Sequence, residues 1–174
     1  MLTESSGTDP IPIATNRGGS RQRDSRSATD RAEFALLLPS DLRLVEVAVG
    51  YLIGRFRCHA FSGSRLTLNL RVSIAEALAN AMLYGNRHDP GKYVRVYVTI
   101  DDLHASVTVA DEGGGFDPET VPDPTRPENL HRTGGRGIFL MRQLMDEVEF
   151  SARGNAVRFV LRREAPHPRR SAGQ

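Results

Sequence analysis

The chain has 174 residues, 39% of them apolar and 25% charged, with a formal net charge of +2 and a single cysteine, Cys58. These values predict one globular domain with a real core, and a single cysteine excludes an internal disulfide and a cysteine-based zinc site. The small net charge gives only weak support for a nucleic-acid partner. No segment approaches the roughly 20 apolar residues of a membrane span, and no secretory signal is visible, so a cytoplasmic protein is the simplest inference.

Both ends of the chain differ in composition from the centre. Residues 1–32 and 165–174 are rich in small, polar and charged residues and contain few large apolar side chains. Such segments bury too little apolar surface to offset the entropy lost on ordering. We therefore expect two disordered tails on either side of one ordered domain, residues 33–164.

The ordered part begins with a strand and a helix. The apolar run 33–38, which ends at Pro39, predicts an edge strand, and Ser40-Asp41 predicts the cap of a helix that reaches about His59. Cys58 falls late in this helix and is expected to be buried. The predicted buried face comprises Leu42, Val45, Val49, Leu52, Ile53 and Phe56.

A second helix is predicted over residues 64–84, with Gly85 expected to supply the left-handed turn that ends it. Residues 93–100 and 105–110 then alternate with period two, and their short connection predicts a hairpin. Residues 111–136 contain little large apolar content and are too long for an ordinary loop, which is typical of a lid or binding loop.

The last predicted elements are a third helix opened by the glycines around Arg136 and a closing hairpin around Gly154-Asn155. The expected buried face of the helix comprises Ile138, Leu140, Met141, Leu144 and Met145. Antiparallel hairpins with helices on one face predict an α+β two-layer sandwich.

Two polar residues interrupt the apolar stripe of the second helix. Glu76 and Asn80 are four residues apart and therefore project from one face, one turn above the other. A carboxamide oxygen can ligate Mg²⁺, and a carboxylate can accept a proton from a hydroxyl group or water. The alternative is the solvated face of an amphipathic helix.

Two glycine-rich segments follow. Asp111 ends a buried-type strand before three glycines, so its carboxylate could accept the exocyclic amino group of adenine, although an ordinary turn has the same signature. The second segment contains Gly134, Gly135 and Gly137 at a helix N-terminus, where unpaired N–H groups and the helix dipole favour phosphate. Glycine before a helix is common, so this signal is weak alone.

Together, these elements are more specific. The order E-x-x-x-N, D-x-G-x-G-F and a lid ending in G-x-G before a helix resembles the Bergerat-type ATP-binding fold of histidine kinases, Hsp90, DNA gyrase and mismatch-repair ATPases. The segments EALANAMLYGN, VADEGGGFDP and GGRGIFLMRQLMDEV are similar to those of anti-sigma factor serine-protein kinases of bacterial partner-switching systems. The resemblance covers about residues 34–163. It implies a mixed, mostly antiparallel sheet, three helices on one face and an ATP lid.

The resemblance also implies site roles. Glu76 matches the general base, Asn80 the Mg²⁺ ligand and Asp111 the adenine-binding aspartate. Phe116 is expected to pack under the lid. Further implied nucleotide-binding residues are the base-side glycines Gly113 and Gly115, the phosphate-binding Gly134, Gly135 and Gly137, and two adjacent residues, Asn86 and Arg136.

The function implied by the resemblance is that of an ATP- and Mg²⁺-dependent serine/threonine protein kinase acting as an anti-sigma factor. Such a kinase would phosphorylate an anti-anti-sigma (STAS-type) protein, sequester a sigma factor and form a homodimer. The sequence offers one candidate dimer surface, the edge strand near Phe34 and the adjacent helix. The alternative is a nucleotide-gated binding module of the same fold with little or no kinase activity. A detached catalytic domain of a two-component system is disfavoured, because no phosphoacceptor histidine segment is recognisable in the sequence.

Overall fold

A computed structural model describes residues 3–5, 31–59, 61, 63–129 and 135–163, which form a sheet and a layer of helices. The strands are β1 (Thr3–Ser5), β2 (Ala32–Pro39), β3 (Tyr93–Ile100), β4 (His104–Ala110), β5 (Glu147–Phe150) and β6 (Ala156–Arg162). The helices are α1 (Val45–Cys58), α2 (Ser64–Asn80) and α3 (Arg136–Leu144). None of the helices in these ranges is long and apolar enough to cross a membrane.

The sheet has the strand order β1-β2-β3-β4-β6-β5. The predicted two-layer α+β fold is confirmed, and the two predicted hairpins are β3–β4 and β5–β6. Every strand pairing in the described ranges is antiparallel, so the parallel part implied by a mixed sheet is not found there.

The core lies between the sheet and the helices, as the alternating strands predicted. Val98 of β3 pairs with Val107 of β4, which in turn pairs with Phe159 of β6, and all three are almost completely buried. Burying an apolar side chain of this size contributes roughly 1.5–3 kcal/mol relative to leaving it exposed. This apolar row fixes the register of the central strands, because a slip of one residue would turn it toward the opposite face.

Helix α1 buries one face only, and two predictions at its ends are wrong. Leu42 lies in a short 3₁₀ turn before the helix and is exposed, whereas Asp41 caps that turn by accepting a hydrogen bond from the backbone N–H of Arg43. Cys58 is exposed as well. It follows the buried Phe56 by two residues, which is about 200° around a helix of 3.6 residues per turn, so it faces away from the core.

The N-terminal prediction is wrong at Thr3–Ser5, which forms β1 and pairs with residues 35–37 of β2. Main-chain hydrogen bonds hold a strand to a sheet edge without any apolar side-chain pattern, so composition gives no signal for this element. The edge of β2 that was expected to be open for dimerisation is therefore covered along these residues. Residues 1–2, 6–30 and 164–174 lie outside the described residues.

The end of the second helix also differs from the prediction. After Asn80 the chain makes one π-helical turn, Ala81–Gly85, and the left-handed residues that follow are Arg87 (φ 56°) and His88 (φ 59°). Gly85 therefore does not provide the left-handed C-terminal turn.

Helix α3 begins at the predicted glycines. Gly135 has φ 87° and precedes the first helical residue. Met141 and Met145 are buried as predicted, but Leu140 is exposed. The nine-residue helix packs mainly against α2 and leaves this side chain on its outer face.

The predicted lid is described up to residue 129. It contains two 3₁₀ turns, Pro118–Thr120 and Pro127–Asn129. Aspartates organise it: the Asp117 carboxylate accepts from the N–H of Glu119 (3.0 Å), and the Asp123 carbonyl accepts from Nδ2 of the buried Asn129 (2.8 Å). Residues 130–134, including Gly134, lie outside the described residues.

Candidate functional site

The polar pair on α2 meets the N-terminus of α3. Gly137, in the first turn of α3, packs against both side chains: a Cβ added there would overlap Glu76 Oε2 and lie 3.3 Å from Asn80 Nδ2. Among the described residues, Glu76 has no hydrogen bond or ion pair. A carboxylate, a carboxamide and a helix N-terminus about 60 residues away in sequence are thus brought into direct contact.

Asp111 follows β4 and lies against the end of the second helix. Its Oδ1 accepts a hydrogen bond from the N–H of Gly113 at 2.8 Å. A Cβ on Gly85 would overlap the Asp111 carboxyl group, and a Cβ on Gly113 would overlap the carbonyl oxygen of Gly85. This role of Gly85 is not visible in the sequence, because its position before a polar loop resembles an ordinary helix end.

The Asp111 carboxyl group is half-buried, and this burial raises its pKa. The hydrogen bond from Gly113 and the charge of Lys92 act in the opposite direction but are weaker. A carboxylate partly removed from water is a strong acceptor for a ligand N–H group, since little solvent competes for it.

The loop after Asp111 is joined to the β5–β6 turn by main-chain contacts. Gly115 (φ 80°) and Gly154 (φ 70°) both have left-handed backbones. A Cβ on Gly115 would overlap the carbonyl oxygen of Arg153, and one on Gly154 would overlap that of Phe116. Each turn therefore requires glycine both for its conformation and for the close approach of the other turn.

These elements surround a cavity of about 280 Å³. Five predicted site residues line it, namely Asn80, Asp111, Gly115, Gly135 and Gly137. Apart from Asn155, its other walls are apolar side chains and small residues that had not been assigned to the site; the larger apolar ones are Tyr84, Val109, Phe116, Val121, Ile138, Met141, Phe150 and Val157. The sequence had placed Val109, Phe150 and Val157 in strands, Ile138 and Met141 on the buried face of the third helix, and Phe116 under the lid. A mostly apolar cavity with a few convergent polar groups is typical of a small-molecule site.

Several predicted residues have other positions. Phe116 is 43% exposed, packs edge-on against Phe150 with ring centroids 5.6 Å apart, and lines the cavity together with Val121 of the predicted lid. Arg136 is exposed at the first position of α3. Asn86 is fully buried, and both ends of its amide are bonded to backbone groups, so the structure argues against a contact with nucleotide.

The site offers few groups that could hold a metal. In the part of the chain that the structure describes, no group of three or more His, Cys, Asp or Glu side chains could hold a metal ion. The available donors are the Asn80 carboxamide oxygen and the adjacent Glu76 carboxylate, and hard oxygen donors of this kind suit Mg²⁺. The volume left free by the missing Cβ of Gly137 lies beside Glu76 Oε2 and Asn80 Nδ2.

The two-layer sandwich thus brings Asp111, the Glu76–Asn80 pair and the glycine-rich N-terminus of α3 to one region. Residues 38–161 match the family of histidine kinase-like ATPase domains. The chain belongs to this family, which implies that it uses ATP.

Several curated proteins are similar in sequence to about half of this chain. Over 83 residues the chain is 39% identical to the anti-sigma F factor of Geobacillus stearothermophilus, covering 45% of this chain and 56% of the relative. It is 33% identical over 86 residues to the serine-protein kinase RsbW of Staphylococcus aureus (45% and 54%). It is also 29% identical over 89 residues to the RsbW of Oceanobacillus iheyensis (48% and 56%). The chain spans about half the length of the curated relatives it matches.

Proposed function

We propose that this chain is an ATP-dependent serine/threonine protein kinase that acts as an anti-sigma factor in the cytoplasm. It would phosphorylate an anti-anti-sigma protein of the STAS type and sequester a sigma factor. The observation that supports this proposal most directly is the position of Gly137 against Glu76 and Asn80. Similarity to an anti-sigma F factor and to serine-protein kinases supports the same proposal.

Each site residue has a role in the proposal. Asp111 accepts a hydrogen bond from the adenine amino group inside the cavity, with Gly113 and Gly115 leaving space for the base. The N–H groups at the start of α3, near Gly135 and Gly137, bind phosphate oxygens, because they lie at the positive end of the helix dipole.

Glu76 accepts the proton of the attacking hydroxyl group of the partner protein. The carboxamide oxygen of Asn80 would hold Mg²⁺, which supplies charge neutralisation on the phosphates. Phosphoryl transfer depends mainly on positioning and charge stabilisation, so this small set of groups is sufficient. Arg136, exposed beside the phosphate site, is proposed as a further phosphate or lid contact.

A transfer assay with labelled ATP tests the proposed base. Glu76→Gln keeps the size of the side chain but cannot accept the proton, so phosphate transfer to a candidate STAS protein should fall by about 10²–10⁴-fold with ATP binding largely retained. Glu46→Gln is the matched control: this carboxylate forms a largely exposed pair with Arg71, and its loss should leave transfer unchanged. Wild-type transfer by the Glu76 variant would contradict the assigned role.

The second candidate is a nucleotide-gated binding module of the same fold. It needs no base, and the direct contact of Glu76 with the phosphate-binding helix therefore favours the kinase. ATP binding by the wild type without transfer to any STAS protein of the same organism would favour the module. A homodimer remains part of the proposal, and light scattering of the full chain tests it.

A further inference from the structure

Asn86 is a fully buried polar side chain immediately after the π-helical turn of the second helix. Its own N–H donates to the carbonyl of Ala81 at 2.7 Å, and the next residues, Arg87 and His88, are exposed and left-handed. A buried amide beside an exposed loop loses its hydration, so its hydrogen bonds within the protein must compensate for that loss.

The two ends of the Asn86 amide bind two different parts of the chain. Nδ2 donates to the carbonyl of Tyr93, the first residue of β3, at 3.0 Å. Oδ1 accepts from the N–H of Glu112, the residue directly after Asp111, at 2.8 Å. Only a carboxamide offers a donor and an acceptor in this arrangement, so the chemistry of the two backbone groups selects asparagine.

Asp111 is thereby anchored on both sides. Its N–H donates to the carbonyl of Asn155 at 2.9 Å, and its carbonyl accepts from Nδ2 of Asn155 at 3.2 Å. The following peptide is fixed by Asn86. The Glu112 carboxylate adds a further link, since it accepts from the N–H of Tyr93 at 3.1 Å.

We infer that Asn86 is a positioning residue for adenine recognition, acting through the Glu112 N–H on the direction of the Asp111 carboxylate. It lines no part of the cavity and therefore acts without touching the nucleotide. The inference rests on the proposed ATP site. It extends that site to the two hydrogen bonds by which Asn86, at the end of the second helix, holds β3 and the loop after β4. Selectivity for ATP over GTP would then depend on the bond from the Glu112 N–H.

The test measures ATP and GTP affinity by calorimetry in Mg²⁺ for the full chain and two variants. Asn86→Ala leaves both backbone partners unsatisfied, and Asn86→Ser keeps one shorter hydroxyl group that can bind at most one of them. The ATP:GTP affinity ratio should fall by about tenfold or more in Asn86→Ala, with a smaller fall in Asn86→Ser, because a misdirected carboxylate loses its hydrogen bond to the amino group.

The control for general destabilisation is Val98→Ala, which creates a cavity under β3 away from the Asp111 loop. It should lower the melting temperature and leave the ATP:GTP ratio unchanged. Amide hydrogen exchange without nucleotide gives an independent readout: the Glu112 N–H should exchange faster in Asn86→Ser and at the wild-type rate in Val98→Ala.

Three results would overturn the inference. One is an unchanged ATP:GTP ratio in folded Asn86 variants, and another is failure of both variants to fold, which would make Asn86 a folding determinant only. The third is a wild type that binds ATP and GTP equally, since Asp111 would then confer no selectivity. Wild-type ATP binding without phosphate transfer would contradict the kinase proposal alone and leave this inference standing.

Discussion

Gly137→Ala separates the stability of the domain from its proposed chemistry. Gly137 lies in the first turn of α3 with an ordinary backbone conformation, so alanine fits the helix without strain. The added methyl group would nevertheless overlap Glu76 Oε2 and lie 3.3 Å from Glu76 Cδ. Glu76 is only partly buried, so its side chain can move away toward solvent. The substitution therefore displaces the proposed base without creating a cavity.

Gly137→Ala should change the free energy of unfolding only slightly but the rate of phosphate transfer strongly. Two terms of similar size and opposite sign determine the change in stability. Replacing a helical glycine by alanine stabilises by about 0.5–1 kcal/mol. Forcing Glu76 from its rotamer costs roughly 0.5–1.5 kcal/mol. The free energy of unfolding should thus change by less than about 1 kcal/mol. Phosphate transfer should fall by about 10²-fold, since a displacement of 1 Å in a catalytic group has an effect of this order.

Urea unfolding and labelled-ATP transfer measure the two quantities on the same preparation. Gly54→Ala on α1 is the matched control, because a Cβ there meets no atom within 4 Å and the position is exposed. It should gain similar helix stability and transfer phosphate at the wild-type rate. If Gly137→Ala is as stable as the wild type and also transfers as fast, the contact between α3 and Glu76 has no catalytic role.

Two further substitutions test the base-binding half of the site. Asp111→Asn should weaken ATP binding about 10- to 100-fold by calorimetry, since the charged acceptor is lost. Burial raises the pKa of Asp111 above 3.8, so the wild type loses stability as the pH rises from 3.8 through the raised pKa. ATP affinity changes in the opposite direction: it falls as the pH drops through that pKa, because the protonated carboxyl group is a weaker acceptor. The Asn variant should show neither dependence, and an identical pH profile would refute the assignment. Gly154→Ala should destabilise by more than about 2 kcal/mol in urea, from left-handed strain and overlap with the Phe116 carbonyl. Gly114→Ala, in open space, should be neutral, and equal effects would contradict the reasoning.

Sequence periodicity predicted the strands and helices that pack on the core through one apolar face. The alternation in β3 and β4 and the apolar stripes of α1 and α2 follow from burial against a single core, so a pattern of residue types is sufficient. The same reasoning gave Leu42, Cys58 and Leu140 a buried place that they do not have. Which residues at the ends and margins of a helix face the core depends on the neighbouring element, and no local pattern records it.

Features made by the main chain could not be predicted. β1 is held to β2 through backbone hydrogen bonds, and the π-helical turn after Asn80 has no distinct residue signature. The role of Gly85 depends on the approach of Asp111, which is 26 residues later in the sequence. For Asn86, the adjacent motif indicated a nucleotide contact, whereas its partners are two distant backbone groups. The three predicted motifs did converge, because each carries side chains or glycines that a ligand site requires.

The contact of the Gly115 and Gly154 turns has an evolutionary consequence. Each turn meets a carbonyl of the other, so the distance between them is set by atoms that every amino acid possesses. Replacement of the neighbouring side chains, Phe116 or Arg153, leaves those carbonyls where they are. Relatives can therefore diverge around this junction and keep the same spacing, provided that both glycines persist. Change at either glycine would require simultaneous change in the other turn, so we expect the two positions to vary together or not at all.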